Sequence, residues 1–228
     1  LRGPWHKYTP VNGYLDVREA IAAKLQRDNG LAYSPEQIVI STGAKQSIMN
    51  VMLAMIGPGD EVVIPAPFWV TYAEQGRIAG GTPVIVRSTL EEDYKAPIER
   101  IAAAITPRTR LLMFSSPCNP SGSVLTLAEM EALAEVVARH PELYVISDEI
   151  YEHIVFDGTH RSFAALPGMM ERTITVNGLS KAFALTGWRI GFLGAPLWIA
   201  QAVTKVQGQF TSGTNSIAQR VTKACMEA

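Results

Sequence analysis

Lys181 and Arg189 are the residues of this chain whose types and spacing most directly suggest covalent chemistry. They lie in the stretch TITVNGLSKAFALTGWRIGFLG, residues 173–194. The alternating run Thr173 to Asn177 reads as a strand, the polar break 178–181 ends it, and Ile190 to Gly194 reads as a second strand. Lys181 follows Leu179 and precedes Phe183 and Leu185. An ammonium held in apolar company loses solvation, which favours the neutral amine. A neutral amine is what Schiff-base chemistry with an aldehyde cofactor requires. Arg189, eight residues on, offers a planar donor fork for a phosphate on the same cofactor. Taken alone, the pair is better described as surface charges beside a turn, because short motifs misfire often.

These residues need elements to position them, and the chain supplies a regular alternation. Asp16 to Asn29 places Val17, Ile21 and Leu25 on one helical face, with Gly30 as its stop. Strands are expected at Gln37–Ser41, Glu61–Pro65, Pro83–Arg87, Arg110–Ser115 and Leu143–Ser147, besides the two above. Helices are expected at Ala44–Ile56, Trp69–Ala79 and Pro97–Ile105. Another is capped by Thr126 with Glu129 completing the box, one opens with Pro196 at its first position, and one covers Ser216–Glu227. Seven strands, most of them separated by helices, indicate an α/β three-layer domain with a mainly parallel sheet.

Ligands of parallel sheets gather at the carboxyl ends of the strands. Reading those ends in order gives Gly43, Ala44 and Lys45, which open a helix suited to a phosphate. Next come the turn Ser116–Gly122 presenting Asn119, then Asp148 with Tyr151 three residues later, then Lys181. Each has a plainer role as a turn, cap or core residue. Their coincidence at one sheet edge favours a site.

Composition narrows the class. The 228 residues are 47% hydrophobic, enough for a large core, and 20 Lys+Arg face 21 Asp+Glu. No basic excess points to nucleic acid, and no apolar run is long enough to span a bilayer. Cys118 and Cys225 do not make a disulfide framework, so a reduced, cytoplasmic setting is expected. No metal site is expected. The chain begins at Leu1 and stops at Ala228 inside a helical pattern, so a fragment of a longer protein is expected.

The runs Asn119-Pro120-Ser121-Gly122, Asp148-Glu149-Ile150-Tyr151 and Ser180-Lys181 through Gly187-Trp188-Arg189-Ile190-Gly191 resemble class I aminotransferases, the pyridoxal-phosphate enzymes of the aspartate aminotransferase type. The wording AFALTGWRIG is similar to the bacterial branch that includes aspartate and aspartate/prephenate aminotransferases. The resemblance runs from Tyr8 to about Gln219. It implies that residues 1–228 are the large domain of a fold type I enzyme, a three-layer α/β/α structure. Its seven-stranded sheet would have one antiparallel strand. The amino-terminal arm and the carboxyl-terminal small domain would be absent.

Carried over by position, the resemblance gives pyridoxal 5′-phosphate on Lys181, which would also move the proton at the substrate's α-carbon. Asp148 would pair with the pyridine nitrogen, and Tyr151 and Asn119 with the phenolic oxygen. Arg189, the N–H groups of Ala44 and Lys45 beside Gly43, and Ser180 would bind the phosphate. Trp69 would stack on the ring, with Trp69 and Asn119 also meeting substrate. Tyr8 would cross a homodimer axis to the partner's phosphate. Two departures stand out. Gly178 replaces a serine found three residues before the lysine in animal and enteric enzymes. Gln207 falls where those enzymes have an arginine for the distal carboxylate, which leaves a dicarboxylic substrate open. The implied activity is amino-group exchange between an L-amino acid, with aspartate, other acidic and aromatic-type substrates all open, and a 2-oxo acid. A β-lyase on the same scaffold and the sensor domain of a transcription regulator are the alternatives.

Overall fold

A computed structural model describes residue 3 and residues 5–228 of the chain. Its strands are β1 (Ile38–Ser41), β2 (Glu61–Pro65), β3 (Thr82–Val86), β4 (Thr109–Ser115), β5 (Tyr144–Asp148), β6 (Thr173–Gly178) and β7 (Gly191–Gly194). The helices are α1 (Leu15–Asn29), α2 (Ala44–Met55), α3 (Thr71–Ile78), α4 (Ile98–Ala104), α5 (Leu127–Ala138), α6 (Leu197–Phe210) and α7 (Ser216–Glu227). The strands hydrogen-bond in the order β1-β7-β6-β5-β4-β2-β3. β2 pairs in parallel with β3 and β4, and β4 with β5. β1 and β7 are antiparallel, Ile38 facing Gly194 and Ser41 facing Gly191. The expected mixed, mostly parallel α/β sheet is therefore present. Every residue of β1, β6 and β7 is buried, the pattern of strands covered on both faces.

Two compact units divide the chain, residues 1–54 with 176–228, and residues 55–175. In the second unit, Val63, Leu112, Phe114 and Val145 from the strands pack with Ile101 of α4 and Met130, Leu133 and Val137 of α5. Thr126 caps α5, accepting the Glu129 N–H at 3.2 Å while Glu129 accepts the Thr126 N–H at 2.7 Å. This capping box starts the helix where the sequence expects it.

The first unit has α1 against α7 and α6 against β1. Gly30 ends α1 at φ +71°, where its N–H reaches the Gln26 carbonyl and the Leu31 N–H reaches Leu25. A residue with a Cβ enters this left-handed region at a cost, and glycine does not. Pro196 caps α6 rather than occupying its first turn. Arg220 of α7 grips Asp16 of α1 through two bonds of 2.7 and 2.9 Å and lies over the rings of Trp5 and Tyr14. This ion pair, with Lys223, holds the Asp16 carboxyl down at about 2.

Gln207, whose alignment left the substrate open, belongs to the core. It is 0% exposed on α6. Its Nε2 donates to the carbonyls of Val11 at 2.6 Å and Ile40 at 2.9 Å, and its Oε1 accepts from Asn50 at 3.0 Å. A buried amide with its donors and acceptor engaged is core, not a reader of substrate. Replacing it with Leu leaves the Asn50 amide and the Val11 carbonyl without that partner. A buried polar group stripped of its bond costs about 1–3 kcal/mol, so Gln207→Leu is expected to lose about 2–4 kcal/mol of stability in urea unfolding. An unchanged midpoint and slope would show the network to be dispensable.

Candidate active site

In the first unit the candidate groups collect where β1 passes into α2. Gly43 sits at that junction with φ +89°, and a Cβ built on it would come 2.5 Å from an Arg189 Nη. A Cβ on Gly191 would meet the backbone of Gly43 and Ala44. Two missing side chains thus let the Arg189 guanidinium lie against the start of α2. Arg189 adopts a left-handed conformation, φ +51°, and its Nη1 donates to the Thr186 carbonyl at 2.9 Å. First-turn amides of a helix have no acceptor in the helical ladder and carry the positive end of its dipole. A guanidinium over the same turn makes a cationic cradle rich in donors, suited to a phosphate dianion.

Lys181 follows β6, as expected, but in a different environment. Leu179 is fully buried, whereas Lys181 is exposed and Phe183 is 37% exposed. Sequence neighbours alternate between core and surface here, so they do not enclose the amine. The desolvation argument therefore does not hold. Ser180 is half-buried, and Lys45 is exposed on the first turn of α2. Tyr8 is 97% exposed, although its segment is anchored on both sides. Thr9 Oγ1 donates to the Thr214 carbonyl at 3.0 Å, and the Ser216 hydroxyl donates to the Trp5 carbonyl.

The second unit holds a different chemistry. Asp148 ends β5 and is 3% exposed. Its Oδ2 accepts the Tyr72 hydroxyl at 2.5 Å and its Oδ1 accepts the Ile150 N–H at 3.2 Å. Burial pushes its carboxyl up to about 6, against the pull of those two donors. Tyr72 is held well above the ordinary phenol range, first by burial and then by the Asp148 charge. The Trp69 ring meets the Tyr72 ring edge-on at 5.8 Å. Asn119 lies half-buried in the turn after β4, its N–H directed to Ser115 Oγ at 3.4 Å.

Tyr151 is half-buried in the segment that follows Asp148. Glu149 ties that segment down. It accepts from the Ser147 hydroxyl at 2.9 Å, the Ser162 hydroxyl at 2.5 Å and the Phe163 N–H at 3.3 Å, with His160 Nε2 at 3.2 Å. The Glu152 and His160 ligand atoms also approach it, but its oxygens already serve this anchor. Sequence reasoning missed Tyr72 and Glu149. The signal for Tyr72 was its helical spacing of three from Trp69, and for Glu149 its place beside Asp148.

Asp148 predicts a pH effect whose sign is definite. Its folded pKa of about 6 lies above the ordinary aspartate value of about 3.9. Its favourable contribution is thus complete below about pH 4 and is lost as pH rises through 6. The loss corresponds to about 3 kcal/mol. Cofactor-free protein is expected to lose stability between about pH 4 and pH 7.5 relative to the Asp148→Asn variant. Parallel stability profiles for the two would refute this account of Asp148.

Comparison with known proteins gives the family. A model of the family aminotransferase class I and II matches residues 1–228. The bifunctional aspartate aminotransferase and glutamate/aspartate-prephenate aminotransferase of Petunia hybrida is 52% identical over 221 residues, covering 96% of this chain and 46% of that protein. The crystal structure of the Rhizobium meliloti aspartate aminotransferase matches with a TM-score of 0.95 at 44% identity, covering 97% of this chain and 56% of that one. That of the Thermus thermophilus aspartate aminotransferase with maleate matches at 0.94 and 43% identity, covering 96% and 57%. The chain thus spans about half the length of these relatives. With the family model matching from end to end, the chain belongs to the class I and II aminotransferases, whose cofactor is pyridoxal phosphate.

Proposed function

We propose that residues 1–228 form the cofactor domain of an aminotransferase that exchanges an amino group between an L-amino acid and a 2-oxo acid. The observation that carries this reading is the Arg189 guanidinium laid on Gly43 at the start of α2, a cradle that fits the phosphate of pyridoxal 5′-phosphate. The amides of Ala44 and Lys45 and the Ser180 hydroxyl complete the phosphate contacts. Asp148 pairs with the pyridine nitrogen, and its burial without bulk water strengthens that pairing. Tyr151 and Asn119 hydrogen-bond the phenolic oxygen. Trp69 covers the ring and, with Asn119, meets the substrate.

When bound, pyridoxal phosphate supplies an aldehyde carbon and an electron-accepting ring. Lys181 Nζ would hold it, and the same amine would take and return the proton of the substrate's α-carbon. Asp148 keeps a proton on the pyridine nitrogen. Arg189 and the α2 amides keep the phosphate fixed, so that the reacting atoms stay aligned. The substrate class we favour is an acidic amino acid, supported by the names of the Petunia and Rhizobium relatives and by the maleate of the Thermus structure. Among the described residues no helix is long and apolar enough to cross a membrane. A cytoplasmic setting suits the two free cysteines, Cys118 and Cys225.

Borohydride reduction of the cofactor-loaded protein, followed by peptide mapping, is expected to place the label on Lys181. A label on Lys45 or Lys205 would overturn the mechanism.

We further propose a homodimer in which Tyr8 donates to the partner's phosphate. The support is an exposed ring on a segment anchored at Trp5 and Thr9. A twofold interface repeats the contact, so each site borrows one Tyr8. Mixing Tyr8→Phe protein with Lys181→Ala protein gives hybrids with one intact site and one doubly defective site. Activity above the sum of the separate variants is expected. No recovery despite demonstrated subunit exchange would place Tyr8 outside the partner's site.

A further inference from the structure

Three candidate groups of the second unit are connected through one residue that none of the sequence motifs contains. Tyr72, on α3, is 1% exposed. Its hydroxyl donates to Asp148 Oδ2 at 2.5 Å. The Ser115 side chain favours ionisation of the same phenol, and Ser115 Oγ receives the Asn119 N–H at 3.4 Å. The Trp69 ring packs edge-on against the Tyr72 ring, and the Phe68 ring stacks on it at 6.5 Å.

The Tyr72 hydroxyl donates to a carboxylate inside the protein, where a hydrogen bond is electrostatically stronger than in water. Its ring is held between two aromatic rings. Ring packing and acceptor together hold the hydroxyl in one direction.

We propose that Tyr72 is a positioning residue for Asp148, fixing the rotation of the carboxyl group and favouring its ionised form. The inference rests on the reading above that Asp148 faces the pyridine nitrogen of pyridoxal phosphate. Its charge setting is consistent. Burial drives Asp148 towards the neutral acid, and the Tyr72 hydrogen bond opposes it. Tyr72 is itself held far above the ordinary phenol range, so the shared proton stays on the phenol. Among the described residues, the other titratable groups acting on the pair are Glu149 and Cys118. Glu149 opposes ionisation of Asp148, and Cys118 opposes that of Tyr72. Tyr72 is thus the side chain that favours the Asp148 charge, alongside the Ile150 N–H.

The test starts on full-length protein freed of cofactor. Infrared difference spectroscopy follows the Asp148 carboxyl through a pH titration, with Asp148→Asn assigning the band. Tyr72→Phe keeps the ring and removes the donor. A charge-assisted hydrogen bond is worth about ten- to a hundredfold in the protonation constant, so the midpoint is expected to rise by about one to two pH units. Where Tyr72→Phe does not fold, 3-fluorotyrosine placed at residue 72 keeps the shape, donates more strongly and is expected to lower the midpoint. An unchanged midpoint in the folded variant would overturn the inference. A second arm measures pyridoxal phosphate binding. In Tyr72→Phe, affinity near pH 6.5 is expected to fall about tenfold and to recover above the raised midpoint. If the carboxyl titration moved while binding did not respond, the Tyr72–Asp148 coupling would stand and the assignment of Asp148 to the cofactor would fall.

Discussion

The constraint on which the second unit depends is a carboxyl group taken out of water at the end of a buried strand. Four of the five residues of β5 are buried, and Asp148 is the last of them. An isolated carboxylate cannot persist in such a place, because desolvation penalises the charge more than the acid. Two donors, the Tyr72 hydroxyl and the Ile150 N–H, hold it partway towards ionisation. The surrounding structure follows from that need. Trp69 and Phe68 pack against the tyrosine ring, and Glu149 anchors the segment that leads away. A protein that kept this carboxyl for stability alone would do better with an amide. Its presence therefore favours a binding role, the one proposed above for Asp148.

The first unit solves the opposite problem. It brings a permanent cation against a helix start, where the dipole is already positive. That arrangement is unfavourable by itself and becomes favourable once an anion bridges the two. Steric space is what makes it possible. Gly43 and Gly191 leave room that any Cβ would fill, and Arg189 accepts a left-handed backbone to aim its guanidinium there. Here the missing side chains allow close approach of the guanidinium and of neighbouring backbone.

Most of the fold was legible because the elements are locally consistent. Buried strands announced themselves as β-branched runs, Gly30 and the Thr126–Glu129 box marked helix ends, and boundaries differ from the observed ones by only one or two residues at most ends. Placement was legible where a residue's type matched a strand end, and Gly43, Asn119 and Asp148 stand at or just after strand ends as expected. The reading failed where the answer depended on which way a side chain faces. Lys181 has apolar neighbours in sequence, yet Leu179 turns inward while Lys181 stays exposed. Gln207 aligned with a substrate-reading arginine, yet it closes a buried network with Val11, Ile40 and Asn50. Tyr72 looked like ordinary helical core, because a hydrogen bond to a residue 76 positions away leaves no local trace.

Each unit by itself offers one kind of recognition. The first lays an arginine against the start of a helix, a setting suited to a phosphate. The second places a buried carboxyl beside aromatic rings, a setting suited to a flat, basic ring. Neither set alone would select pyridoxal phosphate, since a phosphate cradle takes many phosphates and an aspartate with a tryptophan takes many heterocycles. On the function proposed above, the cofactor would satisfy each set with a different group. Its aldehyde would need a lysine amine that can be reached, and Lys181 is exposed.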